Sequence, residues 1–303
     1  MNLRIPILIF HRISPYPDGF WSPLTPKQFE SHIKFLSKKY RFISLNNLFD
    51  KKKEQLRDCC AVVFDDAFKD FHEHALPIIK KHQVPVTMFV PVDCVNKNQI
   101  IWTSQLDNCF KFTNKTELCL NINNEQIFLK LESEKQRSKA AFAVRKLLIR
   151  LPDKQRRIYV STIMQTLGYK DDTNANSMSW SEIKETLADV KYESHSMTHP
   201  ALSMIEDEAT LDYELYESKN LLTAKLENNV DYIAYPAGNY SGRVLHLVLK
   251  YYKAGFAVNN ELVDLKKVND TPYKYAIPRF NVHDKNPYEL FFRINGFHKF
   301  IRK

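Results

Sequence analysis

No apolar run in this chain approaches the ~18 residues that a membrane-spanning helix needs. The opening stretch Met1–Phe10 is too short for a secretory leader, and no small-residue cleavage pattern follows it. Cysteine is scarce. Cys59, Cys60, Cys94, Cys109 and Cys119 make an odd number, spaced neither as a disulfide framework nor as a zinc cluster. A bridge between the adjacent Cys59 and Cys60 is strained, so the thiols read as free, which suits a reducing compartment. These features together point to a cytoplasmic location. Internal repeats and low-complexity linkers are absent too, and nothing in the composition signals disorder. No recognition-helix or RNA-binding signature accompanies the net charge of +9, so nucleic acid is not an expected partner.

What is present is a chain of 303 residues with 44% hydrophobic content, enough for a sizeable core in one domain spanning 1–303. Its cations fall in short runs, Lys51-Lys52-Lys53, Lys80-Lys81 and Arg156-Arg157, that read mostly as solvated surface. The tail Phe297–Lys303 is basic and apolar together, which allows weak contact with a membrane surface.

Short apolar strands alternate with amphipathic helices. Leu3–Phe10 reads as a strand. Thr25-Pro26 opens a helix with an N-cap and a first-turn proline, and Phe29, Ile33 and Leu36 make its buried stripe. Phe42–Ser44, Ala61–Phe64, Val84–Val90, Lys191–Ser194, Tyr232–Ala234, Ala254–Val258 and Ala276–Arg279 read as further strands. Leu45–Lys53, Phe71–His82 (with Pro77 as a kink or a later start), Glu206–Glu227, Gly242–Tyr251 and Asn286–Ile294 read as helices. Strand–helix alternation of this kind predicts an α/β fold with a parallel sheet. The rhythm breaks over about 101–178, where Leu118–Leu131 alternates like a hairpin turning at Asn123-Asn124 and Ser133–Leu167 is charged and helical. That segment reads as a mainly helical insertion over the mouth of the fold.

Two places carry chemistry. The run Val62-Val63-Phe64 ends in Asp65-Asp66, and two adjacent carboxylates at a strand end repel unless a cation or a shared proton offsets them. A polar turn with Asp66 capping the next helix is the plainer reading. Far down the chain, His195 and His199 stand four residues apart, a spacing that faces both rings to one side of a helical turn. One acid and two imidazoles make a three-ligand metal site with an open position.

Phe64-Asp65-Asp66 followed by His195-Ser196-x-x-His199 resembles the polysaccharide deacetylase (NodB-homology) family, carbohydrate esterase family four, whose first two motifs are T/F-F-D-D and H-S/T-x-x-H. Ala234-Tyr235-Pro236-Ala237-Gly238-Asn239-Tyr240, His11-Arg12 and Ile277-Pro278-Arg279 are similar to segments of a branch that includes biofilm-polysaccharide deacetylases. Ala67, Phe68 and Glu193 depart from the pattern, because the family commonly has glycine nearby or in their place.

The resemblance implies an incomplete (β/α) barrel of about seven strands and an enzyme that removes an N-acetyl (or O-acetyl) group from an amino-sugar glycan. It implies one divalent metal on Asp66, His195 and His199, zinc in the first place with cobalt or nickel as alternatives. Metal-bound water would attack the acetyl carbonyl with Asp65 as base, and Arg279 would hold Asp65 with its two-pronged guanidinium. His11 is the expected acid and His283 its competitor. The backbone N–H of Tyr235, or one next to it, would complete the oxyanion hole. Trp102 and Trp180 are candidates for stacking on a sugar ring, with burial in the core as the alternative for both. The expected substrate is an N-acetylated glycan or a lipid- or nucleotide-linked sugar. Two readings from other classes remain open at this stage. One is a non-haem iron oxygenase on the same three ligands, and the other is a catalytically silent glycan-binding protein.

Overall fold

The computed structural model describes residues 3–16, 18–123, 125–170 and 177–296. Pro17, Asn124 at the expected hairpin turn, and the basic tail Phe297–Lys303 lie outside these residues.

A curled, wholly parallel sheet forms the centre. Across the sheet the strands run Ala254–Phe256, Tyr232–Ala234, Val190–Ser194, Val86–Val90, Cys59–Asp65, Ile7–Phe10 and Phe280–Asn281, and Arg41–Ile43 pairs the start of Cys59–Asp65. Strand alternation separates two cores. Ile7, Ile9, Ala61, Val63, Phe89 and Phe256 point into the barrel. Leu8, Phe10, Val62, Phe64, Met88 and Ile233 point outward against the helices. Because side chains alternate with period two, Asp65 continues the inward row of Ala61 and Val63 and emerges inside the barrel mouth.

The seam is closed differently from the sequence expectation. Ala276–Arg279 is not the last strand. Ile277 bridges to Phe256, and only Phe280–Asn281 joins the sheet, pairing with Leu8 and Ile9. The intervening Pro278 and Arg279 cross from one sheet edge to the other, with Ile277 N–H donating to Gly255 O at one side and Val282 N–H to Ile9 O at the other. Proline cannot donate to a ladder, so a regular strand through Pro278 is disfavoured.

Other elements follow local chemistry. Thr25 and Gln28 form a capping box for the helix Pro26–Leu36, and Ser179 and Glu182 form one for Trp180–Glu185. The expected helix Phe71–His82 is a π-helical turn, Phe71–Ala75, followed by an α-helix from Leu76, so Pro77 sits in a first turn where its missing N–H costs nothing. Leu45–Lys53 splits into the short helix Asn47–Asp50 and the 3-10 turn Lys53–Leu56. The insertion comprises the helix Trp102–Phe112, the hairpin Glu117–Ile122 with Glu125–Lys130, and the helices Glu134–Leu148 and Asp153–Thr166, broken before Pro152. Leu106, Phe110, Leu118, Leu120, Val144 and Ile163 give it an apolar cluster of its own. All five cysteines are free thiols, four of them buried.

Candidate metal and catalytic site

The strand Cys59–Asp65 ends in a sharp reversal. Asp66 and Ala67 both take left-handed backbone conformations, φ 74° and 49°. Such positions are strained for residues with a Cβ and persist only where their surroundings hold them. The reversal turns Asp66 back toward the mouth, so both carboxylates reach one site. The helix-capping alternative for Asp66 is thereby set aside.

His195 and His199 come from the loop after Val190–Ser194. This loop is not the helical turn expected from their spacing, since Ser196 and His199 are left-handed at φ 64° and 60°. The rings nevertheless converge, with centroids 4.9 Å apart. Asp66 Oδ1 lies 3.2 Å from His199 Nε2 and 3.5 Å from His195 Nε2. One ligand atom from each of the three buried residues lies within 4.8 Å of the others. His195 Nδ1 is 2.8 Å from Ala234 O, which fixes Nδ1 as the protonated nitrogen and turns the Nε2 lone pair toward Asp66. Asp66 Oδ1 is buried and accepts no hydrogen bond. A buried carboxylate oxygen without a donor, faced by two imidazole nitrogens, is a donor set that fits a divalent cation.

Asp65 is gripped by Arg279, whose Nη1 and Nη2 donate to Oδ1 and Oδ2 at 2.7 and 3.0 Å. Arg279 is fully buried; its Nε donates to Ala257 O at 3.2 Å, and its guanidinium sits 5.1 Å from the Phe89 ring centroid. Burial works against ionisation of Asp65, but Arg279, His195 and His11 outweigh it and hold the carboxyl below the usual range. Asp66 is likewise held down against its burial by His199, His11 and His195. Burial pushes His195 down to about 4, so its ring is neutral, as a metal ligand must be.

His11 stands at the end of Ile7–Phe10, half-buried and within electrostatic reach of both carboxylates. His283 is solvent-exposed. Trp21, which the sequence does not single out, lies beside His11 with ring centroids 5.4 Å apart. Only the fold of the proline-rich loop brings it there.

Three expectations require correction. The Tyr235 N–H already donates to Phe256 O at 3.0 Å, as a ladder bond between neighbouring strands, and is not free for an oxyanion. Pro236, next in line, has no N–H to offer. The Tyr235 side chain is fully buried, with its hydroxyl donating to Tyr275 O at 2.6 Å. Trp102 is 7% exposed, so its face is not open to a sugar. Its Nε1 donates to His199 O at 3.1 Å, and the Arg156 guanidinium covers its ring at 4.6 Å. Trp180 is half-buried in the helix layer, with the Lys225 ammonium 5.7 Å from its ring centroid.

The loop carrying the histidines is tied down throughout. Ser196 N–H donates to Ser194 Oγ and His199 N–H to Ser196 Oγ, both at 3.2 Å. Buried Glu214, on the helix Glu208–Leu226, accepts from Met197 N–H at 2.9 Å, from Thr198 N–H at 2.8 Å and from the Thr198 hydroxyl. From the insertion, Arg157 donates to Thr198 Oγ1 at 2.9 Å. Glu193, a departure in the sequence pattern, is buried in the barrel, where its Oε2 accepts from the N–H groups of Asp231 and Tyr232, both at 2.8 Å.

A curled parallel sheet with an acid pair and a histidine pair at its mouth is the NodB-type arrangement. The polysaccharide deacetylase family model matches residues 52–172 and 169–255, and the chain belongs to that family of enzymes, of the carbohydrate esterase family four type. Asp65, Asp66, His195, His199 and Tyr235 fall within the matched residues, while His11 and Arg279 fall outside them. The poly-beta-1,6-N-acetyl-D-glucosamine N-deacetylase of Staphylococcus aureus (strain MRSA252) is 23% identical over 280 residues, 91% of this chain and 73% of that protein. A match with a Bacillus subtilis (strain 168) relative, 29% identical over 91 residues, takes in 32% of that protein. Among solved structures, the Streptococcus pyogenes deacetylase PplD in complex with acetate superposes with a TM-score of 0.63 at 17% identity, covering 97% of this chain and 99% of that one. IcaB from Ammonifex degensii superposes at 0.61 and 15%, covering 96% of each chain. At such identities these two likenesses concern the fold. Among the described residues no helix is long and apolar enough to cross a membrane.

Proposed function

We propose that this protein is a metal-dependent hydrolase that removes N-acetyl groups from an amino-sugar glycan. The observation that carries the reading is the convergence of Asp66, His195 and His199 beside an Asp65 clamped by Arg279. The name of the Staphylococcus aureus relative supports a β-1,6-linked N-acetylglucosamine polymer as the first substrate to test.

A divalent ion on Asp66, His195 and His199, zinc in the first place, would supply Lewis-acid polarisation of the acetyl carbonyl and of a water molecule. The remaining work falls to side chains of the chain. Asp65, kept ionised by Arg279, takes the proton of the attacking water. Each of its oxygens retains a lone pair beyond the one that Arg279 occupies. His11 delivers a proton to the departing nitrogen, a role that exposed His283 is less suited to. Trp102 serves as a support for His199 rather than a sugar platform.

The test is metal content together with acetate release. Wild type is expected to hold about one divalent ion per chain and to release acetate from the polymer, His199→Ala to lose both, and Asp65→Asn to keep the ion without turnover. A wild type that takes up no metal on addition would overturn the reading.

A further inference from the structure

The helix Glu134–Leu148 is amphipathic on both sides. Its inner face, Ala140, Ala141, Val144 and Leu148, is buried in the apolar cluster of the insertion. On its outer face, Lys135, Lys139, Phe142, Lys146, Leu147 and Arg150 are all exposed. Lys135, Lys139, Phe142, Lys146 and Arg150 recur at intervals of three and four, so they form one stripe that runs past the end of the helix, and Leu147 lies on the flank of that stripe away from Phe142. Phe142 is 61% exposed and Leu147 40%. No ion pair joins the four cations of the stripe to a carboxylate among the described residues. Across 134–157, cations far outnumber the two acids, Glu134 and Asp153.

We propose that this stripe docks on an anionic lipid surface. Phosphate headgroups would meet the three lysines and Arg150, while Phe142 and Leu147 would enter the boundary between headgroups and acyl chains. A soluble acidic polymer would neutralise the cations equally well. It would leave two large apolar side chains in water, however, and a lipid surface buries them. Because the insertion also touches the His199 loop through Trp102 and Arg157, a protein bound this way carries its catalytic mouth on the structure that meets the membrane.

The test is co-sedimentation of the full chain with vesicles of phosphatidylcholine alone and of phosphatidylcholine with phosphatidylglycerol. Binding is expected only to the second, weakening steeply between low and physiological salt as surface charges are screened. Lys139→Glu with Lys146→Glu should reduce binding about tenfold or more. Phe142→Ser with Leu147→Ser should also reduce it at unchanged charge. Both pairs lie on the surface and should melt as wild type does, and a Lys139→Gln, Lys146→Gln pair is the substitute if the reversed pair does not. A chain ending at Gly296 should bind as wild type. The proposal is overturned if anionic vesicles are not bound, if the Phe142 and Leu147 changes have no effect while soluble polyphosphate competes fully, or if shortening the chain abolishes binding that the helix changes leave intact.

Discussion

Arg279 and Asp65, 214 positions apart in the chain, meet through two parallel hydrogen bonds inside the barrel mouth. Each residue is buried, and each depends on the other for neutralisation. Arg279 is carried to this place by the irregular seam crossing, which leaves its guanidinium facing the end of the Cys59–Asp65 strand.

Removing Arg279 should therefore harm both stability and catalysis. Arg279→Leu leaves a buried carboxylate unpaired and is expected to cost about 3–5 kcal/mol in urea denaturation. Arg279→Lys keeps the charge but loses the fork, so kcat should fall about tenfold or more with metal content unchanged. Wild-type turnover in Arg279→Lys would show that the geometry of the clamp does not matter.

The two acid candidates separate by position. His11→Gln should lower kcat by about 10²–10⁴, the usual range for loss of a general acid. His283→Gln, at an exposed site, should remain near wild type. The reverse pattern in steady-state acetate release would reassign the acid.

Trp102→Phe keeps the ring under Arg156 and deletes only the N–H to His199 O. Outer-layer partners of metal ligands typically influence affinity by about 10–100-fold, and zinc affinity measured by chelator competition should weaken toward the low end of that range. The melting temperature should change little. An unchanged affinity would make Trp102 packing alone.

Glu214→Ala strands the N–H groups of Met197 and Thr198 in a buried loop. Each stranded donor costs about 1–3 kcal/mol, so the variant should be less stable and should bind metal more weakly. Glu214→Gln retains an acceptor and should recover part of both.

Asp107 supplies a pH test inside the insertion. Burial pushes its carboxyl up to about 6 from 3.8, although Arg145 lies 2.7 Å away and pulls it down. Between about pH 4 and 6 the folded chain holds a proton that the unfolded chain has released. Stability therefore falls as pH rises through this window, by up to ~1.4 kcal/mol per unit. Asp107→Asn should flatten that slope in pH-dependent chemical denaturation, and an unaltered slope would place the ionisation elsewhere.

Much of the site is legible because it rests on local signals. An apolar strand run before Asp65-Asp66, and two histidines at fixed spacing, are readable without tertiary contacts, as is the helix start at Thr25-Pro26. Tryptophan was another matter. Trp102, Trp180 and Trp21 look alike in sequence, yet one supports His199, one packs among helices and one lies beside His11. Nothing local distinguishes them, because a tryptophan's surroundings are made by elements distant in the chain. The Tyr235 N–H is closed to a local reading for a related reason, since it donates to Phe256 O on a neighbouring strand.

Periodicity and side-chain chemistry are properties of short stretches, so the alternation of strands and helices, the place of the acid pair at a strand end and the presence of two imidazoles at fixed spacing can be read from the chain alone. Tertiary structure alone decided that His195 and His199 converge through left-handed turns rather than a helix. It also decided that Pro278 and Arg279 cross the seam and that the outer stripe of the insertion stays in solvent. Each of these depends on which distant surfaces become buried against one another, and burial is settled only when the whole chain has packed.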